Sequence, residues 1–439
     1  MGDISSTASR PKRLHTITPP PAVPGWPRVV ASLEEAGAEL AVVFWRVLRR
    51  VHTWVRTPPE ERARLYGSGE QEARERLGQG CVHAPALVEA FGVFAQMVRA
   101  PEGVEPRQVA EACRQVHAWA EERSLMKVGM LFAEAAAMAD PDNPARANDA
   151  GRMCRRAACD DRAASWYHRG FGLAVRHKAR QETIRALLGY GNLMKDLGQH
   201  DEARRYFERA AQRAISTGRQ RQAAEAHHDL LLMSTEIGTY SQAERHARLA
   251  VRLYPLQHPR IPHFVHDFTL LLVLRRYYSR ALPLLNKLLK TLERPDESLL
   301  VWGTLARAAA GAGQRRRFAE AEQKVVQLAD SFEEFSPAAF IHLAEGARTV
   351  GEWTRAEKYT AEAVERARRR RNKVAERVGL ELMEKISARE LSPPEQEPED
   401  RDRMEALILR IATRLRIWKA PGRKPPEALI EVPVADSQV

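Results

Sequence analysis

The feature that most limits what this chain can fold into is a recurring triplet of alanine, a larger residue four positions on, and a small residue three further. It reads Ala163, Tyr167, Gly170, then Ala203, Phe207, Ala210, then Ala243, Ala247, Ala250, with leading alanines 40 residues apart. Looser copies start at Ala281, Ala321 and Ala356. Gly151, Gly191 and Leu231 each precede a leading alanine by 12 residues, and Gly198, Gly238, Gly313 and Gly351 break the intervals. A fixed period of this length signals one supersecondary unit used again and again. The pattern predicts a helix, a tight turn and a second helix. Small residues let the two axes approach, and the aromatic, one turn from its alanine on the same face, fills the gap toward the next pair. The glycines permit the turns.

One stretch, "LLGYGNLMKDLGQHDEARRYFERAA", looks at first like a phosphate-cradling loop. Such a loop needs a strand before it and opens a helix. Here both flanks are helical, so Gly189, Gly191 and Gly198 are packing and turn devices.

With Leu187, Tyr190, Gly191, Met194, Ala203, Phe207 and Ala210 in order, and Pro255 closing the next unit, the chain resembles the tetratricopeptide repeat family. The resemblance covers 105–373, about seven repeats, the first of them degenerate. It implies an all-α fold: a right-handed superhelical solenoid of antiparallel helix pairs with N-terminal capping helices. The period of 40 exceeds the family's typical length of about 34, so the helices are expected to be longer, each by less than a turn. Joined helix pairs of the HEAT kind are the structural rival, and the triplet argues against them.

Around the array, 1–27 is expected to be a disordered tail and 28–104 a helical cap or bundle. From Arg28 to Arg56 the apolar positions Leu33, Leu40, Val43, Phe44, Val47, Leu48, Val51, Trp54 and Val55 predict one helix with a broad buried stripe. A second helix is expected after Pro59 and a third before Pro101. The repeats occupy 105–390, followed by an acidic, Pro-rich linker at 391–400, a basic amphipathic helix at 401–420 and a disordered tail at 421–439. Met404, Leu407, Ile408, Ile411, Leu415 and Trp418 form the stripe of that helix. It could fold back over the last repeat, enter a partner's groove or make peripheral contact with an anionic membrane.

Lys and Arg number 69 against 57 Asp and Glu, a net charge of +12, which favours acidic partners. Four cysteines are too few for a disulfide scaffold, and no run approaches the roughly 20 apolar residues of a transmembrane segment. With no apolar signal core either, a cytoplasmic location is expected. No signature of a nucleophile elbow, P-loop, zincin or kinase is present, so neither catalysis nor a cofactor is expected. Cys154 falls in the inward slot of Met194 and is read as core. His228 and His266 hold the same register in successive repeats, as do Asp229 and Asp267. That predicts a hydrogen-bonded His/Asp cluster rather than a metal site. The run Arg366 to Lys373 lacks an interleaved aromatic, so nucleic acid is not the expected partner.

By the family's register, groove-lining positions lie on first helices, off the packing face. They are Asn148, Arg152, Arg155, Arg185, Asn192, Lys195, His228, His263, His266, Arg307 and Arg348. Asn can bond a peptide backbone and Arg can pair carboxylates bidentately. The family's carboxylate clamp would need Lys where Leu188 stands, so chaperone tails are not supported. The expected function is a protein-interaction scaffold holding an acidic peptide or partner helix in its concave groove. The alternative is a peptide-sensing regulator with the N-terminal helices as output module.

Overall fold

The structure is a computed structural model that describes residues 17–22, 24–66, 78, 80–292, 295–370 and 372–419. Among them every regular element is helical. Two compact units divide the chain after Leu193. The first holds α1 (Trp26–Leu33), α2 (Ala38–Arg56), α3 (Val88–Arg99), α4 (Pro106–Glu122), α5 (Met126–Ala139), α6 (Pro144–Arg156) and α7 (Asp160–Arg176). The boundary falls inside α8 (Arg180–Asp196). The second unit continues with α9 (His200–Ser216), α10 (Gln220–Glu236), α11 (Tyr240–Leu253), α12 (Ile261–Leu274), α13 (Tyr278–Leu289), α14 (Pro295–Gly311) and α15 (Arg315–Leu328). It closes with α16 (Ser336–Thr349), α17 (Trp353–Arg369), α18 (Lys373–Ser387) and α19 (Arg401–Lys419).

The 40-residue period has a direct cause. Helices α7 to α10 are 17 residues each, joined by three-residue turns. In these turns and the one after α10, Gly198, Gly218 and Gly238 take φ values of 76°, 67° and 80°. The amide after each glycine reaches back to the preceding helix: Gln199 N to Met194 O and Arg219 N to Ala214 O, both 2.8 Å, and Thr239 N to Ser234 O at 2.9 Å. These bonds satisfy carbonyls that the helix end leaves open. Ala158 and Lys178 sit in matching turns at φ 55° and 54° without being glycine.

Each leading alanine of the triplet is fully buried, from Ala163 through Ala356. Tyr167 lies against Gly151 of α6, where an added Cβ would come within 2.7 Å of its ring, and still closer against Gly189 of α8. The same device recurs in the second unit, with Phe318 of α15 against Gly346 of α16. There a Cβ would fall 2.8 Å from the ring. Ridges therefore mesh at backbone distance, and neighbouring helices cannot be respaced without a clash.

The N-terminal stripe is buried as the periodicity predicts, but the helix is not continuous. A short 3-10 turn, Glu34–Ala36, and Gly37 at φ 83° split it. The break lets Glu35 accept the Val128 amide at 2.7 Å, which caps the start of α5. Phe44 then packs on Phe91, Trp119 and Phe132, so α2 and α3 cover the first repeat. After Pro58 the chain forms only a 3-10 turn, Pro59–Arg64, and the rest of the expected second helix lies outside the described residues. So do most of the expected terminal tails, although the main chain at Thr18 and Ala22 is held by Arg169 and Arg162 at 2.8 and 2.6 Å.

The 391–400 segment behaves as a strap. Arg348 donates to the Glu390 carbonyl at 2.7 Å, Gln396 N to Arg276 O at 3.0 Å, and Arg280 pairs with Glu397 at 2.6 Å. It carries α19 back past the last helices onto α11 and α12, not over the last repeat. Met404, Leu407, Ile411 and Leu415 are buried there, and Arg414 and Lys287 close the ends on main-chain oxygens of Tyr254 and Ala412. Among the described residues no helix is long and apolar enough to cross a membrane.

At Lys178 the left-handed turn places a Cβ where three neighbouring turns have glycine. Lys178→Gly relieves about 1–2 kcal/mol of backbone strain against about 0.5–1 kcal/mol of added unfolded-state entropy. The expected result is a small rise in the thermal midpoint by circular dichroism; a fall would contradict this description of the turns.

Candidate functional site

The first helices of the pairs carry a row of polar side chains, and neighbouring members of the row bind one another. In the first unit Glu121 of α4 takes Arg152 of α6 and, at 2.6 Å, Arg156. Asp149 of α6 pairs with Arg185 of α8 at 2.7 Å, and Arg185 also reaches Glu182 at 3.0 Å. Asn148 is buried and donates to the Glu182 carboxylate at 2.9 Å and to its carbonyl at 3.0 Å. Glu111 of α4 binds Arg146 of α6 at 2.8 Å. Apart from Arg185 with Glu182, which lie on one helix, these pairs join consecutive first helices. Arg155 is half-buried on α6, and Asn192 donates to Leu188 O of its own helix.

The second unit repeats the scheme with histidine. His228 Nε2 meets Asp267 Oδ2 at 2.8 Å, and His228 Nδ1 meets the Tyr254 hydroxyl at 2.8 Å. His266 sits 3.2 Å from the other Asp267 oxygen and 3.0 Å from Thr304 Oγ1. The predicted His/Asp cluster is therefore present, centred on one carboxylate. Asp229 does not join it; it binds Arg260 at 2.6 Å. Thr304 also donates to Leu300 O at 2.9 Å. Lys195 reaches Glu236 at 3.7 Å, while Arg307 and Arg348 share Glu345 at 3.5 and 2.8 Å. His263 is exposed, one turn before Asp267 on α12. Among the described residues no group of His, Cys, Asp and Glu has the arrangement of a metal site.

Electrostatics follow from these partners. Burial by itself raises the Glu121 carboxyl, but the Arg152 hydrogen bond and the charges of Arg152 and Arg156 outweigh it and hold it at about 2. Burial opposes the ionised Asp267 too, and hydrogen bonds from His228 and His266 keep it well below the ordinary carboxylate range. His342, in the same row, is driven the other way: burial, then Arg307, lowers its imidazole to about 3, so it is neutral in the folded chain.

Sequence reasoning found the cations of this row and missed their counter-ions. Glu121, Asp149, Glu182, Glu236 and Glu345 sit on first helices too, but the pairs of Glu121, Asp149 and Glu236 are set across the interface of two helices. A second polar knot was also missed. Glu134 is 4% exposed and accepts from Arg162 at 2.6 Å, from Trp166 Nε1 at 2.8 Å and from Cys154 Sγ at 3.4 Å. Cys154 is in the core as expected. The Arg366 to Lys373 run is a helix end in which Arg366 binds Asp330 and Glu362, each at 2.5 Å, and Arg368 binds Glu376 at 2.7 Å.

Two pH effects follow. Glu121 is depressed from its ordinary 4.5, so its contribution is present above that value and is lost as pH falls toward about 2. His342 is depressed from 6.5 to about 3, so the unfolded chain binds its proton first and stability drops as pH falls below 6.5. Thermal midpoints measured from pH 7 to pH 3 should fall less steeply between pH 6 and pH 4 in His342→Leu than in the parent chain, as about one proton fewer is taken up on unfolding. Parallel profiles would contradict the assignment.

No protein-family model and no curated protein matches the chain. Solved structures do. One, on the functional characterization of Pseudomonas aeruginosa pilF, is 17% identical, covering 52% of this chain and 96% of its own, with a TM-score of 0.36. A tetratricopeptide repeat protein from Parabacteroides merdae is 16% identical over 64% of this chain and 99% of its own, with a TM-score of 0.40. The tetratricopeptide domain of P58(IPK) is 14% identical over 73% and 98%, with a TM-score of 0.22. The helix pairs, their left-handed turns and the buried alanine–aromatic register give this chain an all-α fold of successive helix pairs, similar to the fold of tetratricopeptide repeat proteins.

Proposed function

We propose that the chain is a non-catalytic protein-interaction scaffold whose first-helix row holds an acidic peptide segment. The observation that carries this reading is the exchangeable character of the row. Arg152 and Arg185 keep about a third of their side-chain surface exposed while bound to Glu121 and Asp149. An incoming carboxylate offers Arg152 the same bidentate partner that it has in Glu121, and offers Arg185 a replacement for its single bond to Asp149. Recognition then proceeds by swapping one ion pair for another, so the guanidiniums are never left desolvated and unpaired. Specificity comes from spacing, because the internal carboxylates fix where each cation points. Asn192 and Arg155, on the same helices, supply further polar contacts to a peptide.

The test is selection of binders from a displayed peptide library, followed by affinity measurements on the selected peptides. Acidic sequences should be enriched, and the Arg152→Ala, Arg155→Ala, Arg185→Ala triple variant should bind them at least about tenfold more weakly at unchanged helicity. Equal affinity for the triple variant, with the helical signal intact, would remove this reading.

A further inference from the structure

Where α11 and α19 run side by side in the second unit, they enclose an open cleft of about 650 Å³. Five arginines line it: Arg245, Arg248 and Arg252 from α11, and Arg403 and Arg410 from α19, over an apolar floor of Leu249 and Leu407. The spacing explains the convergence. Positions 245, 248 and 252 share one face of α11, and positions 403 and 410 are two turns apart on α19. Several other arginines of this unit have carboxylates: Arg260 has Asp229, Arg275 has Glu244, Arg280 has Glu397, Arg307 has Glu345 and Arg366 has Asp330. In the cleft only Arg248 has one, Glu244 at 3.6 Å, which it shares with Arg275. The other four guanidiniums have no ion pair or hydrogen bond among the described residues.

Docking α19 here therefore sets positive charge against positive charge. After burial, the Arg403 guanidinium is the next largest influence lowering the ionisation of Arg248. The repulsion is overcome by the buried stripe Met404, Leu407, Ile411 and Leu415 of α19, of which Leu407 also borders the cleft. The anionic strap, through Arg280 with Glu397 and Glu405, holds the helix from outside the cleft and neutralises none of the five. Guanidiniums left in this arrangement match the oxygen geometry of phosphate groups and fork onto them in pairs.

We propose that the cleft between α11 and α19 binds a compact, multiply phosphorylated ligand. Its volume is in the range of small-molecule sites and well above what one phosphate fills. A ligand with several phosphates within a few ångströms reaches guanidiniums of both helices and turns their mutual repulsion into a clamp that fastens α19 to the repeats. The phosphates can come from a free compound or from a polyphosphorylated lipid headgroup; the chemistry of the cleft is the same.

Isothermal titration calorimetry of the full chain at about 0.15 M ionic strength, with tripolyphosphate and with inorganic orthophosphate, tests this. Saturable one-to-one binding of tripolyphosphate is expected, at least about tenfold tighter than orthophosphate. Arg245→Gln with Arg403→Gln, and separately Arg252→Gln with Arg410→Gln, should each weaken it about tenfold or more. A charge-matched control, Arg315→Gln with Arg316→Gln on α15, should leave it unchanged. Absence of saturable binding, or a loss in the control equal to that in both cleft variants, overturns the proposal. Vesicles with and without phosphatidylinositol bisphosphate then separate the sources. Sedimentation with the bisphosphate vesicles, competed by tripolyphosphate and lost in the cleft variants, assigns the lipid headgroup. Binding of tripolyphosphate without vesicle binding assigns a free ligand.

Discussion

The structure depends on the absence of side-chain atoms where aromatic rings cross neighbouring helices. Tyr167 rests on Gly151 of its own pair and on Gly189 of the following helix. Tyr278 rests on Gly311, Phe318 on Gly346 and Val364 on Gly379 in the same manner. At each crossing a large side chain of one helix enters a hole made by glycine in a neighbouring helix. Close-packed interiors tolerate little change of volume at such a crossing. A ring that occupies a glycine hole therefore fixes both the distance and the rotation of the two helices. The polar row is a consequence. Glu121 can meet Arg152, and Asp149 can meet Arg185, because consecutive first helices are held at one separation.

That row changes what the excess of basic residues means. The cations of the first helices are matched by carboxylates, and pairs such as Arg348 with Glu345 are nearly enclosed. Enclosed ion pairs contribute more to orientation than to net stability, since removing both charges from water costs about as much as their attraction returns. Their value lies in setting direction. Arginines without internal compensation converge where α11 meets α19. Among the described residues the first-helix row and the cleft thus differ in electrostatic character: the cations of one are internally paired, and four of the five guanidiniums of the other are not.

Much of this was legible in the sequence because it is local and periodic. The alanine–aromatic register located α6 to α17. Gly198, Gly238, Gly313 and Gly351 marked turns whose left-handed backbone needs them, and the Phe44 stripe announced a buried helix. The exceptions are equally physical. The helix expected from Arg28 to Arg56 is split at Gly37 because Glu35 is needed at the start of α5, a contact spanning 93 residues. The site residues were named without their carboxylates chiefly because partners such as those of Arg152, Arg185 and His228 belong to another helix, 31 to 39 residues away. The resting place of α19 is decided by contacts such as Arg414 with Tyr254, 160 residues apart, and no local pattern encodes that distance.

A double-mutant cycle on Gly189 and Tyr167, read by urea unfolding, tests the central claim most directly. Gly189→Ala in the parent chain should cost about 1–3 kcal/mol, because its new methyl group meets the ring. In a Tyr167→Leu background the same change should cost at least about 1 kcal/mol less, a coupling of the size that residues in contact show. An equal cost in both backgrounds would mean that the ring and the glycine do not set the helix spacing.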